Sequence, residues 1–172
     1  PSVPMSKSLS LLVYNLLLPV GCVAMLPGAV AKMRRRGGQW ADRGERFSCL
    51  PKSKRAALAG LPSGKKRLWM HAVSVGEVGI ATKLMAHLLK DAPDTGVVLT
   101  TTTPTGHALA EDYAARSGGR VVVLYSPLDL PWIGRRLLRM IQPSQIVLVE
   151  AEVWPNLVAA AAFYLMFPIG LL

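Results

Sequence analysis

Short apolar runs alternate with helically spaced segments along residues 68–162 of the chain. The runs are rich in Val, Leu, Ile and Thr, which favours strands, and the segments between them carry apolar residues every three or four positions, which predicts helices. The predicted strands are LWMHAVS (68–74), GVVLTTTT (96–103), RVVVLYSP (120–127) and SQIVLVEAE (144–152). The predicted helices are EVGIATKLMAHLLKDA (77–92), PTGHALAEDYAARSG (104–118), DLPWIGRRLLRMI (129–141) and one that begins with WPNLVAAAA (154–162). Four strand–helix units in series predict an α/β fold with a Rossmann-like parallel sheet, covered by helices on both faces.

The first of these helices has an apolar stripe. Ile80, Leu84 and Leu88 share it with Met85 and Leu89. A stripe of this kind predicts the face that a helix packs on a core.

The amino-terminal segment has a different pattern. Residues 8–31 contain no charge, and four cations follow between Lys32 and Arg36. An uncharged run of this length predicts a membrane-anchor helix, and the cations place its flank on the cytoplasmic side. A cleaved signal peptide, suggested by AVA at 29–31, and a buried core helix are the alternatives. We therefore divide the chain into an anchor (1–36), a basic connector (37–67), a Rossmann-like domain (68–160) and an apolar tail (161–172).

The charge is unevenly distributed. The net charge is +10, but residues 1–67 hold 13 Lys and Arg against two acids, so residues 68–172 are nearly neutral. A basic nucleic-acid binder does not usually have this distribution, whereas cations beside an apolar segment suit anionic lipid. Cys22 and Cys49 have no spacing typical of a disulfide framework or a metal site, which favours free thiols in a reducing compartment.

Polar residues at the ends of the predicted strands are the candidates for chemistry, since ligands of open parallel sheets bind beyond the carboxyl ends of the strands. No glycine fingerprint for dinucleotides, no P-loop and no metal-ligand spacing is present in the sequence. The candidates are Ser74, Gly76 and Glu77 after the first strand, Thr103 and Thr105 after the second, and Glu150, Glu152 and Asn156 after the fourth.

Glu77 has two possible roles. Ser74-Val-Gly-Glu77 fits the capping box, in which the glutamate accepts from the amide that precedes the helix. A carboxylate at the end of a strand could equally act as a general base. His71, close to the same strand end, could be catalytic or a core imidazole.

Glu150 and Glu152 lie two residues apart in a predicted strand. Their side chains are therefore expected on the same side of the sheet, beyond a buried apolar run. A polar strand end without a function is the alternative.

Four ordered segments resemble one family. WMHAVSVGEV, LTTTTPTG, YSPLDLP and EAEVWPN, together with RGERF upstream, resemble the amino-terminal half of the Kdo (3-deoxy-D-manno-octulosonic acid) transferases. The resemblance extends from about Met5 to Ala160. It implies the two-domain glycosyltransferase-B architecture, attachment to the cytoplasmic face of the inner membrane of a Gram-negative bacterium, and no metal or other cofactor.

The resemblance also implies a reaction and its residues. These enzymes move Kdo from CMP-Kdo to the lipid A precursor, so the expected partners are these two substrates and membrane lipids. Glu77 would be the base that deprotonates the acceptor hydroxyl, Gly76 would let the acceptor approach, and Glu150 or Glu152 would be a second essential glutamate. The CMP-sugar site belongs mostly to the second domain of the family, so we expect this chain to be inactive alone.

Two other interpretations of the function stay open. The chain could be a membrane-anchored module that binds an acidic glycolipid without catalysis, or a different Rossmann-like enzyme. Binding to nucleic acid is disfavoured, because the basic residues lack interleaved aromatic residues.

Overall fold

The structure, a computed structural model, describes residues 7–35, 42–62, 66–149 and 154–166. The chain forms two compact units, residues 1–41 and 42–172. In the first unit, helix α1 (Lys7–Arg35) includes the predicted anchor segment. Within the described ranges, no helix is long and apolar enough to cross a membrane.

The second unit is built on a parallel sheet of four strands. Its elements are α2 (Asp42–Arg46), α3 (Lys52–Gly60), β1 (Arg67–Ala72), α4 (Val75–Asp91), β2 (Gly96–Thr101), α5 (Pro104–Ala115), β3 (Val121–Tyr125), α6 (Pro131–Ile141), β4 (Gln145–Leu148) and α7 (Pro155–Met166). The strand order is β3-β2-β1-β4, and all three pairings are parallel. This confirms the predicted α/β class, and the order is that of the first four strands of the doubly wound fold.

Two apolar clusters lie on opposite faces of the sheet, because successive side chains of a strand point to opposite sides. On one face Met70 and Leu99 pack with Val78, Met85 and Leu89 of α4 and with Ala110 of α5. On the other face Trp69, Val98 and Leu124 pack with Leu137 and Ile141 of α6, Leu157 of α7 and Leu58 of α3. Helices therefore cover both faces, as the continuous apolar strands predict.

The buried face of α4 differs from the predicted stripe. Met85 and Leu89 are buried as expected, but Ile80 is 60% and Leu84 45% exposed. Val78 and Ala81 contact the sheet instead. At 100° per residue, the apolar positions of α4 cover about half of the helix circumference, which is more than the sheet can cover. The sheet covers the part of this arc that is centred on Met85.

A buried arginine joins the amino-terminal end of β1 to two helices. Arg67 is 5% exposed, and its guanidinium donates only to carbonyl oxygens. The acceptors are Pro62 at 2.8 Å, Ile141 at 2.7 Å, Leu58 at 3.1 Å and Leu61 at 2.7 Å. Carbonyls in the last turn of a helix lack partners within the helix, and a cation there also balances the helix dipole. Arg67 therefore fixes the ends of α3 and α6 against the first residue of β1.

An ionic network joins α3, α5 and β3. Lys54 forms an ion pair with Glu111 and donates to the Val123 carbonyl at 2.8 Å. His107 Nε2 lies 3.4 Å from the same Glu111 carboxylate. The hydrogen bond from His107, followed by Lys54, lowers the pKa of Glu111 to about 2, although burial opposes this shift.

Replacing Arg67 should destabilise the second unit. Arg67→Met would leave several buried carbonyls without a donor, at about 1–3 kcal/mol for each unsatisfied group. We expect a loss of about 3 kcal/mol or more, and a smaller loss for Arg67→Lys, which keeps the charge. Urea unfolding measures the difference. Arg116→Met, at an exposed position, is the matched control and should change stability by less than about 0.5 kcal/mol. Equal midpoints for Arg67→Met and the control would contradict this role.

Glu111 should make stability depend on acid. Its pKa lies near 2 in the folded chain, below the ordinary value of 4.5. Its contribution is therefore fully present above about pH 4.5 and is lost as the pH falls towards 2. Glu111→Gln should lack this contribution, so the stability gap between parent and variant should close between these pH values. Unfolding at several pH values tests this, with Asp112→Asn as a control of equal charge change. A gap that stays constant down to pH 2 would refute the assignment.

Candidate functional site

The sheet has one position where the strand order reverses. After β1 the chain moves to β2 and β3 on one side, and it then returns to place β4 on the other side of β1. Open α/β sheets bind their ligands in the crevice beyond the carboxyl ends of the strands at such a reversal, which here are β1 and β4. Ser74, Gly76 and Glu77 follow β1 directly and therefore lie at this position.

Glu77 forms the predicted capping box. It is the third residue of α4 and is 7% exposed. Its Oε2 accepts from the Val73 amide at 2.6 Å, and its Oε1 accepts from the Ser74 amide at 3.2 Å and the Ser74 hydroxyl at 2.7 Å. The Ser74 hydroxyl accepts from the Glu77 amide at 3.4 Å. The capping interpretation is thereby confirmed, and the carboxylate is held in one position beside the crevice.

Two glycines near Glu77 differ in what surrounds them. A Cβ at Gly76 would meet only Ser74 Oγ, at 3.9 Å. A Cβ at Gly106 in α5 would lie 2.8 Å from Thr103 Oγ1, 3.4 Å from Val78 Cγ2 and 3.6 Å from the Ser74 carbonyl carbon. Gly106 is therefore required by the close approach of the starts of α4 and α5, whereas the fold does not require a glycine at position 76.

The two threonines after β2 are placed differently. Thr103 is the N-cap of α5, and its hydroxyl accepts from the Gly106 amide at 3.1 Å. Thr105 is exposed in the first turn of α5. Thr103 therefore has a structural role beside any role in binding, and only Thr105 presents its side chain to solvent.

Asn156 has a structural role that the sequence did not indicate. Its side-chain nitrogen donates to the Asp129 carbonyl at 2.7 Å, and it is 4% exposed. Asp129 in turn caps α7, since its carboxylate accepts from the amides of Asn156 at 3.1 Å and Leu157 at 2.9 Å. The pair joins the β3–α6 loop to the start of α7. Glu150 and Glu152, predicted for the same strand end, lie outside the described residues.

Three buried polar atoms belong to residues in β1, just after β2 and just before α7. His71 Nε2, Thr102 Oγ1 and Trp154 Nε1 have no hydrogen-bond partner among the described residues. The rings of His71 and Trp154 meet edge to face at 6.4 Å. His71 Nδ1 lies 2.9 Å from Thr100 Oγ1, which also accepts from Trp69 Nε1 at 2.9 Å. Burial lowers the pKa of His71, and the charge of Glu77 opposes this only in part, so the imidazole is neutral at neutral pH.

The edge over β2 and β3 is occupied by the chain itself. Arg46, at the end of α2, donates to the Thr102 carbonyl at 2.7 Å, and its guanidinium lies 4.9 Å from the centre of the Tyr125 ring. Glu45 accepts from the Tyr125 amide at 2.9 Å, and the His107 ring stacks on Tyr125 at 3.9 Å. The sequence analysis assigned no role to His107 and named Glu45 and Arg46 only within RGERF. These contacts leave the part over β1 and β4 as the candidate site.

The chemistry available at this site is that of a carboxylate and neutral polar groups. In the described part of the chain, no group of three His, Cys, Asp or Glu side chains could hold a metal ion. A carboxylate held by its own loop can accept a proton from a hydroxyl.

Comparison with known proteins places the chain in a family. Residues 41–164 match the family described as 3-deoxy-D-manno-octulosonic-acid transferase (kdotransferase). The chain is 42% identical over 91 residues to the 3-deoxy-D-manno-octulosonic acid transferase of Haemophilus influenzae, covering 53% of this chain and 21% of that protein. It is 39% identical over 132 residues to the enzyme of the same name from Bordetella pertussis, covering 76% of this chain and 29% of that protein. A probable mitochondrial 3-deoxy-D-manno-octulosonic acid transferase of Arabidopsis thaliana is 34% identical over 128 residues, covering 74% of this chain and 28% of that protein.

No solved structure matches the chain. The chain spans less than a third of the length of these relatives. The family match nevertheless includes most of the chain and every candidate site residue between Ser74 and Asn156. The chain therefore belongs to the 3-deoxy-D-manno-octulosonic-acid transferase family.

Proposed function

We propose that this chain is the acceptor-binding part of an enzyme that transfers Kdo from CMP-Kdo to the lipid A precursor in lipopolysaccharide synthesis. Membership of the family supports the transferred sugar, and the resemblance implies the nucleotide donor and the lipid acceptor. The donor site would lie mostly in a second domain of the glycosyltransferase-B type. The enzyme would act at the cytoplasmic face of the inner membrane of a Gram-negative bacterium, where a lipid acceptor is accessible.

The position of Glu77 is the observation that carries the proposal. In the proposed step, Glu77 takes the proton of an acceptor hydroxyl while the hydroxyl oxygen bonds to the anomeric carbon of Kdo. The bond between this carbon and the phosphate oxygen breaks, and CMP leaves with the electron pair. Glu77 lies at the strand end beside the crevice, and the space over Gly76 is open to an acceptor. A general base must come within about 3 Å of the proton donor. An acceptor hydroxyl would reach this distance by taking the place of the Ser74 hydroxyl at Oε1.

The other candidate sites enter the proposal in different ways. Ser74 and Thr103 would act by fixing the starts of the helices that they cap. Thr105 would contact substrate directly. Asn156 would position α7 through Asp129. Glu150 and Glu152 stay in the proposal as substrate-contacting carboxylates on the strength of the resemblance alone.

A glycolipid-binding module without catalysis is the second candidate. The three donors that contact the Glu77 carboxylate favour it, because they account for this residue without chemistry. The two functions differ in whether position 77 must accept a proton.

Glu77→Gln separates the two functions. The variant is best tested in a chimaera in which residues 41–164 replace the matched segment of the Bordetella pertussis relative. Gln offers one acceptor oxygen where Glu77 offers two, so either the Val73 or the Ser74 amide loses its partner, at about 1–3 kcal/mol. Gln cannot take the proton, so CMP-Kdo turnover with saturating acceptor should fall by about 10²- to 10⁴-fold.

Turnover is measured well below the melting temperature of the variant, so that lost stability does not count as lost catalysis. The 172-residue chain alone is the negative control, because the proposal assigns the CMP-Kdo site to another domain. Turnover close to that of the parent chimaera would leave Glu77 with the capping role only.

The two glycines give a second, independent test. Gly76→Ala should fold normally, and could gain up to about 1 kcal/mol because Ala is the better helix former. It should nevertheless raise the KM for the acceptor, because the added methyl group occupies the open space. Gly106→Ala should lower the melting temperature, because its Cβ meets Thr103 Oγ1 at 2.8 Å. Melting curves and acceptor titrations of both variant chimaeras test these two expectations. An unchanged acceptor KM in Gly76→Ala would count against acceptor binding over this loop.

A further inference from the structure

Helix α6 exposes an aromatic residue and three cations on one side. Trp132, Arg135, Arg136 and Arg139 are exposed and follow the spacing i, i+3, i+4 and i+7, which places them along one stripe. Trp132 is 65% exposed, which is unusual for so large an apolar side chain. The opposite side of α6, with Ile133, Gly134, Leu137, Leu138 and Ile141, is buried. We call the exposed side the α6 stripe.

Other exposed apolar residues lie next to the start of the α6 stripe. Phe47 is 50% and Leu128 36% exposed. The Leu128 amide donates to the Arg46 carbonyl at 2.8 Å, and the buried Ser48 hydroxyl donates to the Ile133 carbonyl at 3.1 Å. These two bonds join Arg46 and Ser48, on either side of Phe47, to Leu128 and to Ile133. The start of the α6 stripe therefore has an aromatic and aliphatic border, and its remainder is cationic.

The charged residues of α6 all have one sign. Neither α6 nor α7 contains an acidic residue. Asp129, just before α6, is 8% exposed and accepts from the first amides of α7. Within the described ranges, none of Arg135, Arg136 and Arg139 forms an ion pair.

The opposite side of the sheet also exposes apolar residues and cations. Ile80 and Leu84 are exposed there, with Lys83 and Lys90 on the same helix and Arg116 at the end of α5. However, α4 and α5 contain the acids Glu77, Asp91, Glu111 and Asp112. The charge on that side is mixed, so its attraction to an anionic surface is weaker.

We propose that the α6 stripe docks this unit onto an anionic lipid bilayer. Trp132, with Phe47 and Leu128, would enter the headgroup region, and the three arginines would contact lipid phosphates. Tryptophan is enriched where amphipathic helices meet the membrane–water interface. Arginine binds phosphate in a bidentate manner. The stripe contains none of the candidate site residues, so the proposal does not depend on Kdo transfer, and either can fail without the other.

Two triple variants of the full 172-residue chain test the charge. Arg135→Gln/Arg136→Gln/Arg139→Gln removes the three cations of the α6 stripe, and Lys83→Gln/Lys90→Gln/Arg116→Gln removes three from the opposite side. All six positions are exposed, so both variants should unfold at the parent's urea midpoint. Binding is measured by co-sedimentation with vesicles of phosphatidylcholine, alone or mixed in equal parts with phosphatidylglycerol.

We expect the α6 variant to bind the anionic vesicles much more weakly than the control variant. Each cation near an anionic surface contributes about 1 kcal/mol, so three correspond to a loss of roughly 100-fold. The control variant should lose less than tenfold. Equal losses in the two variants would mean that only net charge matters, and would overturn the proposal.

A second measurement reports on Trp132 itself, since α1 also exposes apolar side chains such as Leu16 and could bind the vesicles. Phosphatidylcholine with brominated acyl chains, in the same anionic mixture, quenches tryptophans that enter the bilayer. The parent should lose more fluorescence than Trp132→Phe. Equal quenching in parent and variant would overturn the proposal, because the chain would then bind through another segment while the α6 stripe faces water or a protein partner.

Discussion

The second unit depends on how the amino-terminal end of β1 is held. β1 pairs with β2 on one side and with β4 on the other, so a displacement of β1 would disturb both pairings. Arg67, its first residue, uses a buried guanidinium to bind the carbonyl ends of α3 and α6. Among the described residues the charge is compensated by backbone carbonyls and not by a carboxylate, so a neutral side chain would leave carbonyls unpaired. The position of Glu77, at the other end of the same strand, follows from this fixed starting point.

The carboxyl edge of the sheet is divided into two halves with different roles. Over β2 and β3, Arg46 and His107 contact Tyr125 and close the edge with internal contacts. Over β1 and β4, the buried edge atoms of His71 and Trp154 have no partner in the described part of the chain. The half over β1 and β4, at the reversal of strand order, is therefore the candidate for binding.

Much of this architecture could be predicted from the sequence, and the errors have physical causes. Strands, helices and the capping box depend on neighbours within about four residues, so local patterns contain the necessary information. The exposed Ile80 and Leu84 show the limit, since the sequence identifies an apolar arc but not the part that the sheet covers. Asn156, which stays a predicted substrate contact, shows a second limit. Its side chain binds Asp129, a partner 27 positions away that no local pattern indicates.

The hydroxyl of Ser74 has a consequence for any chemistry at Glu77. It lies 2.7 Å from Oε1, the distance at which an alcohol donates to a carboxylate. If Glu77 is the base, the resting loop contains an internal mimic of the acceptor's reactive group. An arriving sugar hydroxyl would exchange with the serine hydroxyl, so the carboxylate would pass from one alcohol donor to another and never face bulk water alone. Rotation of one serine side chain would then be the whole rearrangement that separates the resting loop from the reactive one.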